Sequence, residues 1–153
     1  MTGHGDSHRI ENELAAVFEQ ARECQEELQS SLARYACVLA SSYLEAAFRE
    51  LVLASAKAQA SPSIVRYLDS TLGVFRDPNT EKILQLLGRL SPKYREDLET
   101  HVGGALKDSV DSIFANRNNI AHGRRSSISL GRIHQYYQDA RACVAKASDI
   151  VEL

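Results

Sequence analysis

Arg117 and His122, an arginine and a histidine five residues apart, are the side chains in this sequence best suited to chemistry on a phosphate. Arginine can bind a phosphate through two parallel N–H bonds, and histidine exchanges protons near neutral pH. Together they supply the smallest set of groups that cleaves RNA without a metal ion. Asn118 and Asn119 follow the arginine although asparagine is a poor helix former, which sets this segment apart from an ordinary helix end.

The helix expected around this segment places Arg117 on its packing face. The apolar stripe of that helix consists of Leu106, Val110, Ile113, Ile120 and Ala121. Arg117 falls on the same stripe, and a guanidinium that cannot lose its proton must meet an anion or several acceptors there. Arg117 and His122 project about 140° apart on an ideal helix and therefore flank a groove. Asn118 and His122 are four residues apart and share a face.

Each of these residues also has a structural explanation that the sequence leaves open. Arg117 is compatible with an arginine that only forms a salt bridge or extends along the surface. A histidine at a helix end often does no more than interact favourably with the terminal carbonyls. Both explanations must hold at once for the segment to be merely structural, and this favours a functional site.

A positively charged region surrounds the pair. Residues 112–153 contain six Lys and Arg against three Asp and Glu, whereas residues 1–111 contain twelve against seventeen. No acid lies between Asp111 and Asp139. A local excess of cations can bind a polyanion even on a slightly acidic protein. The candidate RNA-binding residues in this interval are Arg124, Arg125 and Arg132.

Other kinds of site lack support in the sequence. It has no glycine-rich phosphate loop, no Cys-x-x-Cys pair, no His-Glu-x-x-His and no Gly-x-Ser-x-Gly. A metal site formed by His101, His122 or His134 with a cysteine would lack any recognised ligand spacing. We therefore expect neither a metal nor another cofactor.

Length and composition predict one globular domain over residues 1–153, with 44% apolar and 25% charged residues. No apolar run approaches the roughly 18 residues of a membrane span, and the polar first ten residues do not form a signal peptide. Cys24, Cys37 and Cys143 lie in apolar helical patterns and are expected to be reduced core residues. These features predict a cytoplasmic protein.

The elements that position the candidate residues are all predicted to be helices. Asp6 and Ser7 are expected to cap the first one, and the central, most buried helix is expected over Tyr35–Ala60. Between Gln29 and Tyr35 the pattern allows a continuous helix or a tight turn. Ser61, Asp77 and Ser91 are expected to cap further helices, because each is followed by a proline, which favours the first helical position.

The remaining expected helices cover about 62–71, 79–90, 92–101, 105–122 and 129–151. Gly123 ends the helix that carries the Arg117–His122 pair. In the last helix Tyr136 and Tyr137 could stack on a base, but their stripe favours a place in the core or a dimer interface. The predicted fold class is an all-α bundle of long helices with a short-helix insertion.

The segment from Arg117 to His122 resembles the Arg-x4-His motif, often Arg-Asn-x-x-Ala-His, of the HEPN superfamily of α-helical domains. Residues 41–51 are similar to the early helix of its RiboL-PSP-HEPN-like branch, in which a Tyr-Leu-Glu segment precedes the motif helix. The order of helices matches over nearly the whole chain.

The resemblance implies a metal-independent endoribonuclease that forms a homodimer, with two motifs facing each other across a cleft. It also implies a toxin with an antitoxin partner or an antiviral defence protein, although some members are non-catalytic. Arg117 and His122 match the catalytic pair, and Asn118 matches the polar position after the arginine. One branch has a tyrosine two residues after the histidine, which a partner nucleotidyltransferase modifies with AMP. Arg124 stands there, so we do not expect that control.

Two hypotheses follow from the sequence. In the first, the protein cuts RNA by attack of the 2′-OH on the adjacent phosphate, with Arg117 neutralising the phosphorane and His122 moving protons. In the second, the protein keeps the fold and the motif but only binds RNA or a partner protein.

Overall fold

The computed structural model describes residues 5–152, apart from the side chain of Glu152. Over this range the backbone forms seven α-helices and a short 3-10 turn at Leu72–Val74, with no strand. The helices are α1 (Asp6–Ala21), α2 (Glu26–Gln59), α3 (Pro62–Thr71), α4 (Thr80–Leu90), α5 (Pro92–His101), α6 (Ala105–Ala121) and α7 (Leu130–Glu152). The predicted all-α architecture, with short helices between long ones, is confirmed. None of these helices is long and apolar enough to span a membrane in the described range.

The 34-residue α2 is the centre of the fold, because α1, α6 and α7 all pack on it. Ala33, Ala36 and Ala40 are completely buried, and such small side chains let neighbouring helices approach closely. Farther along α2, Leu44 and Phe48 are completely buried and fill the core. The prediction that this helix is the central buried element is confirmed.

Residues 29–35 lie inside a continuous helix, one of the two alternatives that the sequence left open, and the first chain reversal lies earlier. The structure ends α1 at Ala21 and begins α2 at Glu26. The Ala21 carbonyl at the end of α1 accepts two hydrogen bonds, from the Cys24 N–H at 3.2 Å and from the Gln29 side-chain amide at 2.9 Å. The packing of α1 on α2 therefore determines where this turn lies, and no local pattern in the sequence indicates its position.

Two of the predicted helix caps are wrong. Gly5 precedes α1, while the hydroxyl and the backbone N–H of Ser7 both bond to the Glu50 carboxylate of α2. At α4 the cap is Asn79, whose side chain accepts the Lys82 N–H at 2.9 Å, and the preceding Asp77 has another partner. In both cases a tertiary contact, with Glu50 or with Arg117, holds the residue expected to cap the helix, and α4 is capped locally by Asn79 instead.

The three cysteines divide into two classes, which corrects the expectation that all lie in the core. Cys37 and Cys143 are buried, whereas Cys24 lies partly exposed in the turn between α1 and α2. Burial raises the pKa of the Cys37 thiol to about 12, although the charge of Arg117 acts to lower it. Burial likewise raises the pKa of the Cys143 thiol to about 12.

The folded protein should therefore expose a single reactive thiol. At pH 8 we expect dithionitrobenzoate to modify Cys24 and to leave Cys37 and Cys143 intact, because only an accessible thiolate attacks the reagent. Absorbance at 412 nm should report one thiol in the native protein and all three in urea. A native Cys24→Ser variant that still releases a full equivalent at the same rate would contradict this assignment.

Candidate active site

The last turn of α6 carries the Arg117–His122 pair, and its backbone geometry is well defined. Gly123 adopts φ +68°, the left-handed conformation that glycine reaches without a side-chain clash. The Gly123 N–H donates to the Ile120 carbonyl at 3.2 Å, and the Arg124 N–H donates to the Asn119 carbonyl at 2.8 Å. These two bonds form a Schellman closure, which ends the helix immediately after His122. The predicted helix end at Gly123 is confirmed.

Arg117 lies half-buried on the packing face, as its position on the stripe predicts. Its Nε is 3.2 Å from Oδ1 of Asp77, and 31% of the side chain is exposed. This ion pair supplies the anion that a partly buried guanidinium requires. The two Nη groups form no hydrogen bond with any residue in the described part of the chain, so their N–H donors remain available to a ligand.

Asp77 is itself fixed by residues of α2. Its backbone N–H donates to Oε2 of Glu45 at 2.9 Å, and the Ser41 hydroxyl donates to its Oδ1 at 3.4 Å. The other carboxylate oxygen of Glu45 is 3.2 Å from Nη2 of Arg49, and the same nitrogen donates to the Phe75 carbonyl at 2.7 Å. Ser41, Glu45 and Arg49 thus bind the segment 75–77 from one side.

Sequence reasoning missed the connection between this polar network and Arg117. In the sequence Asp77 stands before a proline, a pattern that predicts a helix cap and gives no sign of a contact with Arg117. The spacing of Glu45 and Arg49 does indicate an ion pair on one helix face. No pattern in the sequence indicates that this pair holds a loop residue against the motif helix.

His122 and Asn118 lie on the open side of α6. His122 is exposed, and its imidazole has no hydrogen bond or ion pair with the described residues. Asn118 is half-buried, and its side-chain amide is likewise without a hydrogen bond in that range. The imidazole is therefore free to exchange a proton with a bound ligand.

The prediction that Ala121 continues the apolar stripe is wrong, because Ala121 is exposed. On an ideal helix Ala121 lies about 80° from the buried Ile113, whereas Ile120 lies only about 20° away. Ile120 accordingly packs against the core. The small Ala121 side chain lies between Arg117 and His122 around the helix and leaves the surface between them unobstructed.

The three candidate RNA-binding arginines are exposed, and none forms an ion pair with a described residue. Arg124 and Arg125 lie in the loop between α6 and α7, which folds back because the Ser126 hydroxyl donates to Oδ1 of Asn116 at 2.8 Å. Arg132 lies in the first turn of α7, where its N–H donates to the Ser129 hydroxyl at 3.1 Å. The region is thus a surface of unpaired positive charge beside the motif.

A polar cleft of about 330 Å³ separates this loop from the two helices. Its lining consists of Asn116, Ser127, Ile128, Ser129, Arg132 and Tyr136. The cleft brings Arg132 together with Tyr136, but no hydrogen bond or ion pair in the described chain joins Arg132 to Arg117 or His122. Tyr137 is buried and packs edge-on against Tyr43, which confirms the core prediction for that residue.

A second groove and the distribution of possible metal ligands in the described chain give no further site at the motif. A more apolar groove of about 370 Å³ lies between α2, the 3-10 turn and α4, and no motif residue lines it. Among residues 5–152 no three His, Cys, Asp or Glu side chains are grouped so that they could hold a metal ion.

A family comparison agrees with this geometry. The model of the RiboL-PSP-HEPN family matches residues 6–153. The chain belongs to the RiboL-PSP-HEPN family. HEPN proteins are generally associated with RNase activity, and they often bind RNA and dimerise. No match was found among curated proteins or among solved structures.

Both sequence segments that resemble the HEPN families have a place in this RiboL-PSP-HEPN fold. The Arg-x4-His segment forms the end of α6, and Tyr43-Leu44-Glu45 lies in the middle of α2. Asp77 connects the two, because Glu45 binds its backbone while its carboxylate faces Arg117.

Proposed function

We propose that this RiboL-PSP-HEPN protein is a metal-independent endoribonuclease that acts through Arg117 and His122. One observation carries the proposal. The Arg117 guanidinium, whose Nε faces Asp77 and whose Nη groups form no hydrogen bond with the described residues, lies at the same helix end as the exposed His122 imidazole, which has no partner among those residues.

In the proposed reaction, the 2′-oxygen of the RNA forms a bond to the adjacent phosphorus, and the bond from phosphorus to the 5′-oxygen breaks. One imidazole accepts the proton of the 2′-OH, and a protonated imidazole donates a proton to the departing 5′-oxygen. Arg117 stabilises the charge of the phosphorane, while Asn118 donates a hydrogen bond to it. The products are a 2′,3′-cyclic phosphate and a 5′-OH.

We further propose that the site forms between two copies of the chain. One His122 cannot act as base and acid in the same step without cycling, whereas a two-fold axis brings two of them to one cleft. A partner copy would also cover the exposed Ala121 and would bury more than about 1,000 Å², the usual minimum for a specific interface. Arg124, Arg125 and Arg132 would then hold the RNA backbone on both sides.

For the cell, we propose that this activity makes the protein a toxin or an antiviral defence protein. The support is its membership of the RiboL-PSP-HEPN family together with an intact Arg-x4-His pair. A partner protein that restrains the activity belongs to this proposal, with the basic surface around the motif as a site for its acidic groups.

The proposed chemistry predicts a characteristic cleavage pattern. Purified protein in excess EDTA should cut a single-stranded RNA and leave 2′,3′-cyclic phosphate ends, because the 2′-OH is the nucleophile and no metal takes part. Mass spectrometry of the fragments identifies these ends. DNA of the same sequence should remain intact, because it lacks the 2′-OH.

Cleavage that stops with EDTA and returns with Mg²⁺ would contradict the mechanism. RNA that binds but stays intact, with pure and folded protein, would favour a non-catalytic binding module.

A further inference from the structure

Asp77 has an unusual backbone conformation for its residue type. Its φ is +43°, and among residues 5–152 it is the only residue other than glycine with a positive φ. The left-handed region is unfavourable for side chains with a Cβ atom, although aspartate and asparagine tolerate it better than most. Strain of this kind persists where the surrounding structure enforces it, and it concentrates at functional sites.

The residues around Asp77 hold both its backbone conformation and the position of its carboxylate. Glu45 binds the backbone N–H, and the buried Ser41 donates to Oδ1. The following Pro78 is completely buried, which restricts the backbone on the C-terminal side of Asp77 as well. The carboxylate is thereby fixed 3.2 Å from Nε of Arg117.

We propose that Asp77 is a positioning residue for Arg117: its carboxylate holds the guanidinium so that the N–H donors meet the phosphate. This inference rests on the proposed function. It explains why the fold keeps an aspartate where glycine would be unstrained, since glycine has no carboxylate to orient the arginine. A misplacement of about 1 Å can lower a rate about a hundredfold, so a loose guanidinium is costly.

Three substitutions separate positioning from a structural role. Asp77→Asn keeps the size and tolerates the positive φ, but it removes the charge. Asp77→Gly removes the side chain and also fits the positive φ. Asp77→Ala removes the side chain and does not fit. Asp111→Asn is the matched control, because Asp77 and Asp111 are both 34% exposed and both ion-paired, Asp111 with Lys107.

We expect Asp77→Asn and Asp77→Gly to lower kcat for RNA cleavage at least about tenfold while the melting temperature stays near that of the wild type. KM should be unchanged or lower, because removing a negative charge does not weaken RNA binding. Asp77→Ala should lose activity and also melt at a lower temperature. Asp111→Asn should retain the wild-type kcat.

A second measurement does not depend on RNA cleavage. In the wild type, the Arg117 Nε–H signal in a ¹H–¹⁵N NMR spectrum should be resolved, and Arg117→Lys identifies it by its loss. In Asp77→Asn it should merge with the signals of exposed arginines, because the guanidinium is no longer held. This result stands even if the wild type does not cleave RNA, so failure of the proposed function and failure of the positioning role are distinguishable.

An unchanged kcat together with an unchanged Arg117 signal in Asp77→Asn would overturn the inference. A higher kcat in Asp77→Asn or Asp77→Gly would also overturn it, because the carboxylate would then compete with the phosphate for Arg117. Loss of activity in Asp77→Ala alone would overturn it as well, because Asp77 would then serve only to maintain the backbone conformation.

Discussion

The His122→Ala variant is expected to cleave RNA about 10²–10⁴-fold more slowly than the wild type, the usual contribution of general acid–base catalysis. The fold should be unaffected, because the imidazole is exposed and has no partner among the described residues. Gel assays of initial rates, with circular dichroism of both proteins, measure the two effects.

His101→Ala is the matched control. His101 is also exposed and lies in the last turn of a helix, α5, where its ring bonds to the Asp97 carbonyl at 2.8 Å. Its removal should leave the rate unchanged. In cells, induced wild-type protein should arrest growth, and induced His122→Ala should not. Equal RNA cleavage by the wild type and His122→Ala would remove His122 from the mechanism.

The second large effect concerns the dimer. An Arg117→Ala chain and a His122→Ala chain should each be inactive as homodimers, and their heterodimer should recover part of the wild-type activity, well below half. One Arg117–His122 combination across the interface remains complete in this heterodimer, but the second imidazole is missing, so the remaining His122 must act as base and acid in turn. Two different affinity tags isolate the heterodimer for the assay.

The opposite pairing makes this test decisive. A heterodimer of the wild type with an Arg117→Ala/His122→Ala double variant has no complete combination across the interface and should be inactive. If each chain instead acts alone, the heterodimer of the wild type with the double variant should keep half of the wild-type activity. The heterodimer of Arg117→Ala with His122→Ala should then have none. Light scattering that shows a fully active monomer would also contradict the shared site.

Most of the helices in this protein can be predicted from local patterns. The apolar stripe of α6, the Ser-Pro starts of α3 and α5 and the glycine that ends α6 each depend on residues within one or two turns. The first chain reversal and the caps of α1 and α4 could not be predicted. Gln29 bonds to the Ala21 carbonyl at the reversal. Ser7 bonds to Glu50 and Asp77 pairs with Arg117, so neither caps a helix, and Asn79 caps α4 in place of Asp77.

The candidate site likewise has one part that local patterns predict and one part that depends on tertiary contacts. An arginine on the packing face of a helix that ends at His122 can be predicted from the sequence, because helical periodicity and a C-terminal glycine are local properties. The anion that faces Arg117 depends on tertiary packing, since Asp77 is forty residues away and reaches Arg117 through a loop bound by Glu45. Ion pairs between distant segments depend on how the helices pack, and a single sequence does not encode that packing in any local pattern.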